Sequence, residues 1–314
     1  MFDGQRILVA GGAGMIGWTM CNRLLEAGAE VVCVDSLITG SPDHVKLLLD
    51  RPGFSFVEAD VSVEVPVEGP LDAVVNLASP ASPADFRDLA LAILRVGSRG
   101  VENLLNVALR EEATFLQAST SEVYGDPLVH PQVESYWGNV NPVGYRSVYD
   151  EAKRFAEALV CAYQRELDLD VRIARIFNTY GPGMRPDDGR LVSNLVTQAL
   201  AGEPLTVHGD GSQTRSLCFV EDEVDGLLAL LASGHQRPVN IGNDQEISVF
   251  EVAQLVLGLT GSRSDIMFTE RPPDDPGRRC PDLTVARTVL GWEPTTSLRD
   301  GLAPTIDWFR RQRA

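Results

Sequence analysis

Residues 11 to 17 read Gly-Gly-Ala-Gly-Met-Ile-Gly, and they sit between an apolar run and an amphipathic one. The run before them, 6 to 10 (RILVA), is short and bounded by glycine, as a buried parallel strand is. The run after them carries Ile16, Met20, Leu24 and Leu25 three or four residues apart, a helical face closed by Gly28. Strand, glycine loop and helix in that order make a cradle for a pyrophosphate at a helix N-terminus. Gly11 and Gly14 allow the tight turn and the close backbone approach, Met15 and Ile16 open the helix, and Gly17 lets it pack against the sheet.

The next strand, 30 to 35 (EVVCVD), ends in Asp35, about twenty residues beyond the loop. A carboxylate there accepts hydrogen bonds from a ribose diol and repels a 2′-phosphate, so NAD is expected rather than NADP. Ser36, Thr39 and Gly40 follow it and are assigned to the same site. Asp60 and Val61 follow a third strand, where an adenine would lie, and Leu77 and Ser79 follow a fourth, with Ser79 facing the pyrophosphate. Taken alone, an Asp after a strand is more often a plain loop residue.

Further strands are expected at 54–58, 72–77, 114–119 and 170–176, with helices at 86–111 and 148–167 among them. This alternation predicts an α/β fold with a doubly wound, Rossmann-like parallel sheet. After residue 178 Gly, Pro and Asp become dense and shorter helices follow at 190–201, 249–260 and 302–312, the second opened by a Ser248/Glu251 capping box. The expected division is a cofactor domain over 1–179, also receiving 217–242, and a smaller C-terminal α/β substrate domain over 180–216 and 243–314.

Across 314 residues the formal net charge is −17, which speaks against a nucleic-acid partner. The N-terminal apolar run is too short for a secretory signal, and no stretch is long and apolar enough for a membrane span. The five cysteines lack CxxC spacing, so neither a disulfide framework nor a metal site is expected, and the cytoplasm fits best.

The chain has only two lysines, Lys46 and Lys153. The second completes Tyr149-Asp150-Glu151-Ala152-Lys153, a YxxxK pattern that puts phenol and ammonium on one helix face. A phenol near pKa 10 is too weakly acidic to serve as a base at neutral pH, and a neighbouring ammonium is expected to lower that value. YxxxK also recurs by chance on solvated helices; a lysine kept in a chain almost without lysine strengthens the catalytic reading. The strand at 114–119 runs into Ser119-Thr120-Ser121-Glu122-Val123-Tyr124-Gly125, at the sheet end that opens into a cleft. Thr120 is placed to hydrogen-bond the hydroxyl that Tyr149 deprotonates, and Glu122 sets a carboxylate beside it.

The glycine loop, STSEVYG and YxxxK together resemble the extended short-chain dehydrogenase/reductase superfamily. Longer segments are similar to its UDP-glucuronic acid decarboxylases (UDP-xylose synthases): 77–82 (LASPAS), 119–132, 136–142, 175–182 (RIFNTYGP), 186–194, 202–215 and 274–282 (DDPGRRCPD), spread over essentially the whole chain. Ser121 is the sharpest discriminator. Related 4,6-dehydratases place an Asp there as the acid that expels a hydroxyl, and the 4-epimerases lack the glutamate at 122.

The resemblance implies NAD-dependent oxidation of UDP-glucuronate at carbon 4, loss of carbon dioxide from the resulting β-keto acid, and re-reduction to UDP-xylose. It implies a catalytic set of Thr120, Glu122, Tyr149, Lys153 and Arg279, with Glu122 and Arg279 acting at carbon 5. Thr179 joins the cofactor residues. Arg95, Ser121, Asn178, Arg190, Asn194 and Arg215 are implied as substrate contacts. A homodimer is implied, with the tyrosine helix and the 86–111 helix forming a four-helix interface; Leu104, Leu105, Leu159 and Val160 are candidates for it that could equally be core. A 4-epimerase, a 4,6-dehydratase or a dinucleotide sensor without catalysis are the alternatives. Several positions depart from the family pattern. Arg95-Val96-Gly97 stands where Lys-Thr-Asn is usual, Tyr145 for Pro, Ala152 for Gly, Gly183 for Arg, Cys280 for a basic residue, and Trp18 for a small one.

Overall fold

The computed structural model describes residues 1–270 and 278–313; of the segments just quoted, 274–277 fall outside the described residues. The elements in chain order are β1 (Arg6–Ala10), α1 (Met15–Glu26), β2 (Glu30–Asp35), α2 (Pro42–Lys46), β3 (Phe54–Glu58), β4 (Ala73–Asn76), α3 (Ala90–Arg95), α4 (Val101–Arg110), β5 (Thr114–Thr120), α5 (Ser147–Leu167) and β6 (Val171–Ile176). They continue with β7 (Thr179–Tyr180), α6 (Leu191–Ala201), β8 (Leu205–His208), β9 (Thr214–Ser216), β10 (Cys218–Phe219), α7 (Val220–Leu231), β11 (Pro238–Ile241), β12 (Glu246–Ser248), α8 (Val249–Thr260), β13 (Ile266–Thr269) and α9 (Leu298–Arg313).

Seven parallel strands form one sheet in the order β3-β2-β1-β4-β5-β6-β11. The order reverses direction at β1 and β4, and the crevice beyond their carboxyl ends is where an open α/β sheet binds its ligand. Alternate residues of each strand serve opposite faces, so every strand needs apolar residues throughout. On one face Ile7, Val9, Val31 and Cys33 pack with Met20 and Leu24 of α1 and Leu227 of α7. On the other, Leu8, Ala10, Val32 and Val34 pack with Leu104 and Leu105 of α4 and with Ala156 and Val160 of α5. A separate core joins α6, β8, α8 and α9 through Leu195, Val207, Val252, Leu302 and Phe309.

The expected α/β fold is present, and the expected strands appear within a residue or two. The helix expected over 86–111 is different. It begins at Ala90 and a π-helical turn, Val96–Gly100, separates α3 from α4. The glycines explain this: a Cβ on Gly97 would lie 2.6 Å from the Ala152 methyl, and one on Gly100 would lie 3.1 Å from Val61. The last helix starts at Leu298 rather than 302 because Ser297 caps it, its Oγ accepting the Asp300 amide at 3.2 Å. The Ser248/Glu251 capping box forms as expected.

Candidate active site

The carboxyl ends of β1, β4, β5 and β6 open into a cleft of about 680 Å³ that extends across to α6, β8 and β9. That size suits a large, part-apolar ligand. A second hollow continues from it along the ends of β2 and β3.

The glycine loop is built by close approach. Gly11 has φ +79°, and a Cβ on it would sit 2.7 Å from the Ala78 nitrogen. One on Gly17 would sit 2.1 Å from the Gly11 carbonyl oxygen, which forces glycine where α1 leaves the loop. Gly14 is different. A Cβ there would meet protein only at 3.5 Å, so the face it keeps clear is the cleft's. Asp35 accepts the Ala13 amide at 3.0 Å on one oxygen and the Leu37 amide at 2.8 Å on the other. Each carboxylate oxygen has a second lone pair left for a diol. Burial pushes Asp35 up, against the two amides and His44.

The chemical end is set by β5, the 3-10 turn after it and α5. Thr120 caps that turn, its hydroxyl accepting the Glu122 amide at 3.3 Å. Tyr149 is 7% exposed, and Lys153 lies one turn further on with its Nζ donating to the Ala118 carbonyl at 2.8 Å. Nζ is 5.7 Å from the centre of the Tyr149 ring. The expected lowering of the Tyr149 pKa by Lys153 is not what the structure gives. Burial, then the Glu122 charge, pushes the phenol up to about 12, against the Thr120 hydrogen bond and the Arg190 guanidinium. Lys153 is itself pushed down to about 8 by burial. Its ammonium is spent on a backbone carbonyl, and desolvation of both groups dominates.

Glu122 is held by two arginines. Arg279 binds both carboxylate oxygens, Nη2 donating to Oε2 at 2.8 Å and Nη1 to Oε1, and Arg146 Nη2 lies 2.5 Å from Oε2. Burial works to raise Glu122, but Arg279 and then Arg146 outweigh it and hold the carboxyl below its ordinary range. Behind this clamp Glu157 accepts from Ser119 at 2.5 Å and takes two hydrogen bonds from Arg175, each 2.9 Å. Arg175 also donates to Tyr124, whose hydroxyl donates to Asn240 at 2.7 Å. These buried bonds fix the residues on either side of Glu122.

At the far end, Asn178, Arg190, Asn194 and Arg215 all line the cleft, with Gln198, Thr206 and His208 beyond them. The Asn178 Nδ2 is buried without a hydrogen-bond partner among the described residues, and Arg190 is paired with Asp188. Thr179 lines the cleft beside Met15 and Ile16. Ser36, Thr39, Gly40, Asp60, Val61, Leu77 and Ser79 line the second hollow with Asp35.

Of the sequence-predicted site residues, Arg95 alone is not brought in. It is exposed at the end of α3, whose buried side is Ile93, and does not line either hollow. Two residues went unassigned from sequence: Arg146, which clamps Glu122, and Asp150, buried beside Tyr149. Arg146 stands three residues before the tyrosine, at the N-cap of the helix that carries it, and that spacing could have marked it.

Residues 7–242 match the family described as NAD dependent epimerase/dehydratase. The chain belongs to this family. Within it the chain groups with the UDP-glucuronic acid decarboxylases. It is 48% identical over 307 residues to UDP-glucuronic acid decarboxylase 5 of Arabidopsis thaliana, spanning 98% of this chain and 89% of that one. It is 46% identical over 310 residues to UDP-glucuronic acid decarboxylase 1 of Xenopus tropicalis, spanning 99% and 73%. Among solved structures it superposes with TM-score 0.89 and 29% identity on a dTDP-glucose 4,6-dehydratase of Streptomyces venezuelae determined with NAD, covering 98% of each chain. It superposes equally, TM-score 0.89 at 26% identity over 98% and 99%, on a variant UDP-glucuronic acid 4-epimerase of Bacillus cereus in complex with UDP-4-deoxy-4-fluoro-glucuronic acid and NAD.

The cofactor of an NAD dependent epimerase/dehydratase fits this chain. The open face of Gly14, the spare lone pairs of Asp35 and the hollow running on from the cleft supply the pyrophosphate, ribose and adenine sites that NAD requires.

Proposed function

We propose that this chain converts UDP-glucuronate to UDP-xylose and carbon dioxide, with NAD as its bound cofactor. The observation that carries the reading is the Glu122 clamp. A buried carboxylate held by Arg279 and Arg146 stands beside Tyr149, and Ser121, which cannot act as an acid, occupies the neighbouring position. The decarboxylases at 46–48% identity support this reading over the epimerase and dehydratase neighbours at 26–29%.

NAD, when bound, supplies the acceptor and later the donor of the hydride at carbon 4, and a positive charge on its nicotinamide. With that charge beside it Tyr149 would release its own proton to solvent and, as the phenolate, take the proton of the 4-hydroxyl as carbon 4 is oxidised, with Thr120 hydrogen-bonding the same oxygen. The sugar is then a β-keto acid. Its carboxylate leaves as carbon dioxide, and the electrons pass to the ketone as an enolate. Glu122 and Arg279 fix the carbon 5 end while that carbon takes up a proton. Tyr149, which burial keeps protonated when alone, returns its proton to the 4-oxygen on re-reduction. Lys153 fixes the helix to the end of β5 through Ala118. Asn178, just after β6, and Arg215 contact the sugar diphosphate, and Arg190 and Asn194 the nucleotide; Arg190, Asn194 and Arg215 belong to the substrate domain over 180–216 and 243–314.

We also propose a homodimer. Leu104, Leu105 and Val160 are fully buried in the core, the other of the two roles the sequence left open for them. The support comes from Leu91 and Leu94 on α3 and Phe155 on α5, which are 66%, 39% and 50% exposed. A cytoplasmic setting is supported by five cysteines that all stand as free thiols. No helix of the described residues is long and apolar enough to cross a membrane.

The test is product analysis. Purified protein with NAD and UDP-glucuronate is expected to give carbon dioxide and UDP-xylose, and the absence of both ends the proposal. Tyr149→Phe should lower kcat by about 10²- to 10⁴-fold, the range for loss of a general acid/base, while NAD still binds.

A further inference from the structure

Asp150 follows Tyr149 on α5 and is 5% exposed, yet its Oδ1 has no hydrogen-bond partner among the described residues. A buried carboxyl with an unpaired oxygen is costly, and such groups gather where a protonation change is used. The charges that face it are Glu122 from the turn after β5, Arg279 from the segment after 277, Arg146 at the N-cap of its helix and Glu151 beside it on α5. Tyr149 adds a phenol. Glu151 is half-exposed and lies 3.7 Å from Arg154. That leaves two guanidiniums against two carboxylates in the buried part of the cluster, which is neutral with both carboxyls ionised.

The sugar carboxylate of UDP-glucuronate would add a third negative charge to this pocket. Neither that carboxylate nor the diphosphate diester titrates near neutrality, so any proton taken up on docking comes to the protein, even with the positive nicotinamide nearby. Glu122 is not the acceptor. Both its oxygens are bound by arginine and it is held below its ordinary range. Asp150 is pushed the other way, up to about 7, by burial and then by Glu122, against Arg146 and Arg279. One more anion nearby raises it further.

We propose that Asp150 is a positioning residue that takes up one proton from solvent when a carboxylated sugar enters the Glu122–Arg279 cluster, and so tunes the cleft to acidic sugars. The proposal rests on the decarboxylase reading above. The proton binds one Asp150 oxygen as the carboxylate docks. It returns to solvent after carbon dioxide has left, when the two guanidiniums face only Glu122. Carbon 5 draws its own proton separately, so the turnover still consumes one.

The experiment uses the NAD-loaded Tyr149→Phe protein, in which bound UDP-glucuronate persists. Calorimetric titration in buffers of different ionisation enthalpy reads the protons taken up, for UDP-glucuronate and for UDP-xylose, which lacks the carboxylate. Excess uptake is expected with UDP-glucuronate, about half a proton at pH 7 and approaching one at about pH 8 to 9, with affinity falling about tenfold per pH unit above the Asp150 titration. Equal uptake for the two ligands overturns the proposal and needs no change at residue 150. Adding Asp150→Asn should abolish the excess and flatten the pH dependence of KM in the Tyr149-containing enzyme, with kcat moving less. Excess uptake that survives Asp150→Asn overturns it as well. Failure of the decarboxylase reading is a separate result, seen as no carbon dioxide from the unmodified enzyme.

Discussion

Lys153 is one of two lysines in the chain, is 5% exposed, and is pushed down to about 8 by burial alone. The folded protein therefore binds fewer protons than the unfolded one between about pH 8 and the free-lysine value near 10.4. Stability rises with pH across that window, and below it the full cost of burying the cation is felt. Lys153→Met should abolish most turnover yet stabilise the fold at pH 7, on the order of 1–2 kcal/mol after loss of the Ala118 hydrogen bond. The gain should shrink towards pH 10. Thermal melts across pH check this, and a lower melting temperature at pH 7 would refute it. At this scale the sequence disclosed residues whose spacing is local. Tyr149 and Lys153 share a helix face, and Thr120 and Glu122 share a turn. Asp150 and Arg146 stayed hidden because their burial depends on Glu122 and Arg279, which the chain brings from far away. The protonation of Tyr149 is hidden for the same reason: spacing reports which groups are near, while burial decides which effect wins.

Two of the departures from the family pattern become one when the helices are packed. The Ala152 methyl occupies the place where a side chain at 97 would begin, 2.6 Å from a Cβ there. Gly97 is thus the partner of Ala152, and the π-helical turn sits where α3 and α4 pass over α5 at this contact. Gly97→Asn alone should cost about 1–3 kcal/mol as an overpacked core position. Joined to Ala152→Gly it should recover most of that loss, which a double-mutant cycle in urea would measure. Additive losses would show that the two positions are independent. Gly183 and Trp18 behave alike, since a Cβ on Gly183 would lie 3.2 Å from the indole. Periodicity located α5 and the strands well. It ran 86–111 together as one helix because the apolar spacing continues through the π turn, and only the three-dimensional contact of Gly97 shows why the turn is there.

Over the whole molecule, the sheet order follows from alternation of strand and helix, which the sequence displays openly. The return of β11 to the edge of that sheet, after α6, β8, β9 and α7, is a long-range event of the kind that local patterns hint at only weakly. Assembly was legible in outline alone. Apolar helix residues were visible, but which of them face the core depends on the sheet beneath. Leu104, Leu105 and Val160 went inward, while Leu91, Leu94 and Phe155 remain outside. Leu91→Glu with Phe155→Glu should convert a dimer to a monomer in analytical ultracentrifugation while the far-UV spectrum is kept. An unmodified protein that sediments as a monomer at micromolar concentration would remove the proposed interface.

Trp18, the residue after the glycine loop, stacks on His44 with ring centres 4.8 Å apart, and both rest against Trp308 at 5.6 Å. The Trp308 indole nitrogen donates to the Met184 carbonyl at 3.2 Å, behind Gly183 in the wall of the cleft. A ribosome reaches Trp18 early and Trp308 only 290 residues later. The dinucleotide cradle is thus begun among the first residues synthesised and closed by one of the later ones. A chain that lacks α9 would keep the glycine loop but lose Trp308 from the stack on Trp18 and His44 and from the Met184 carbonyl in the cleft wall.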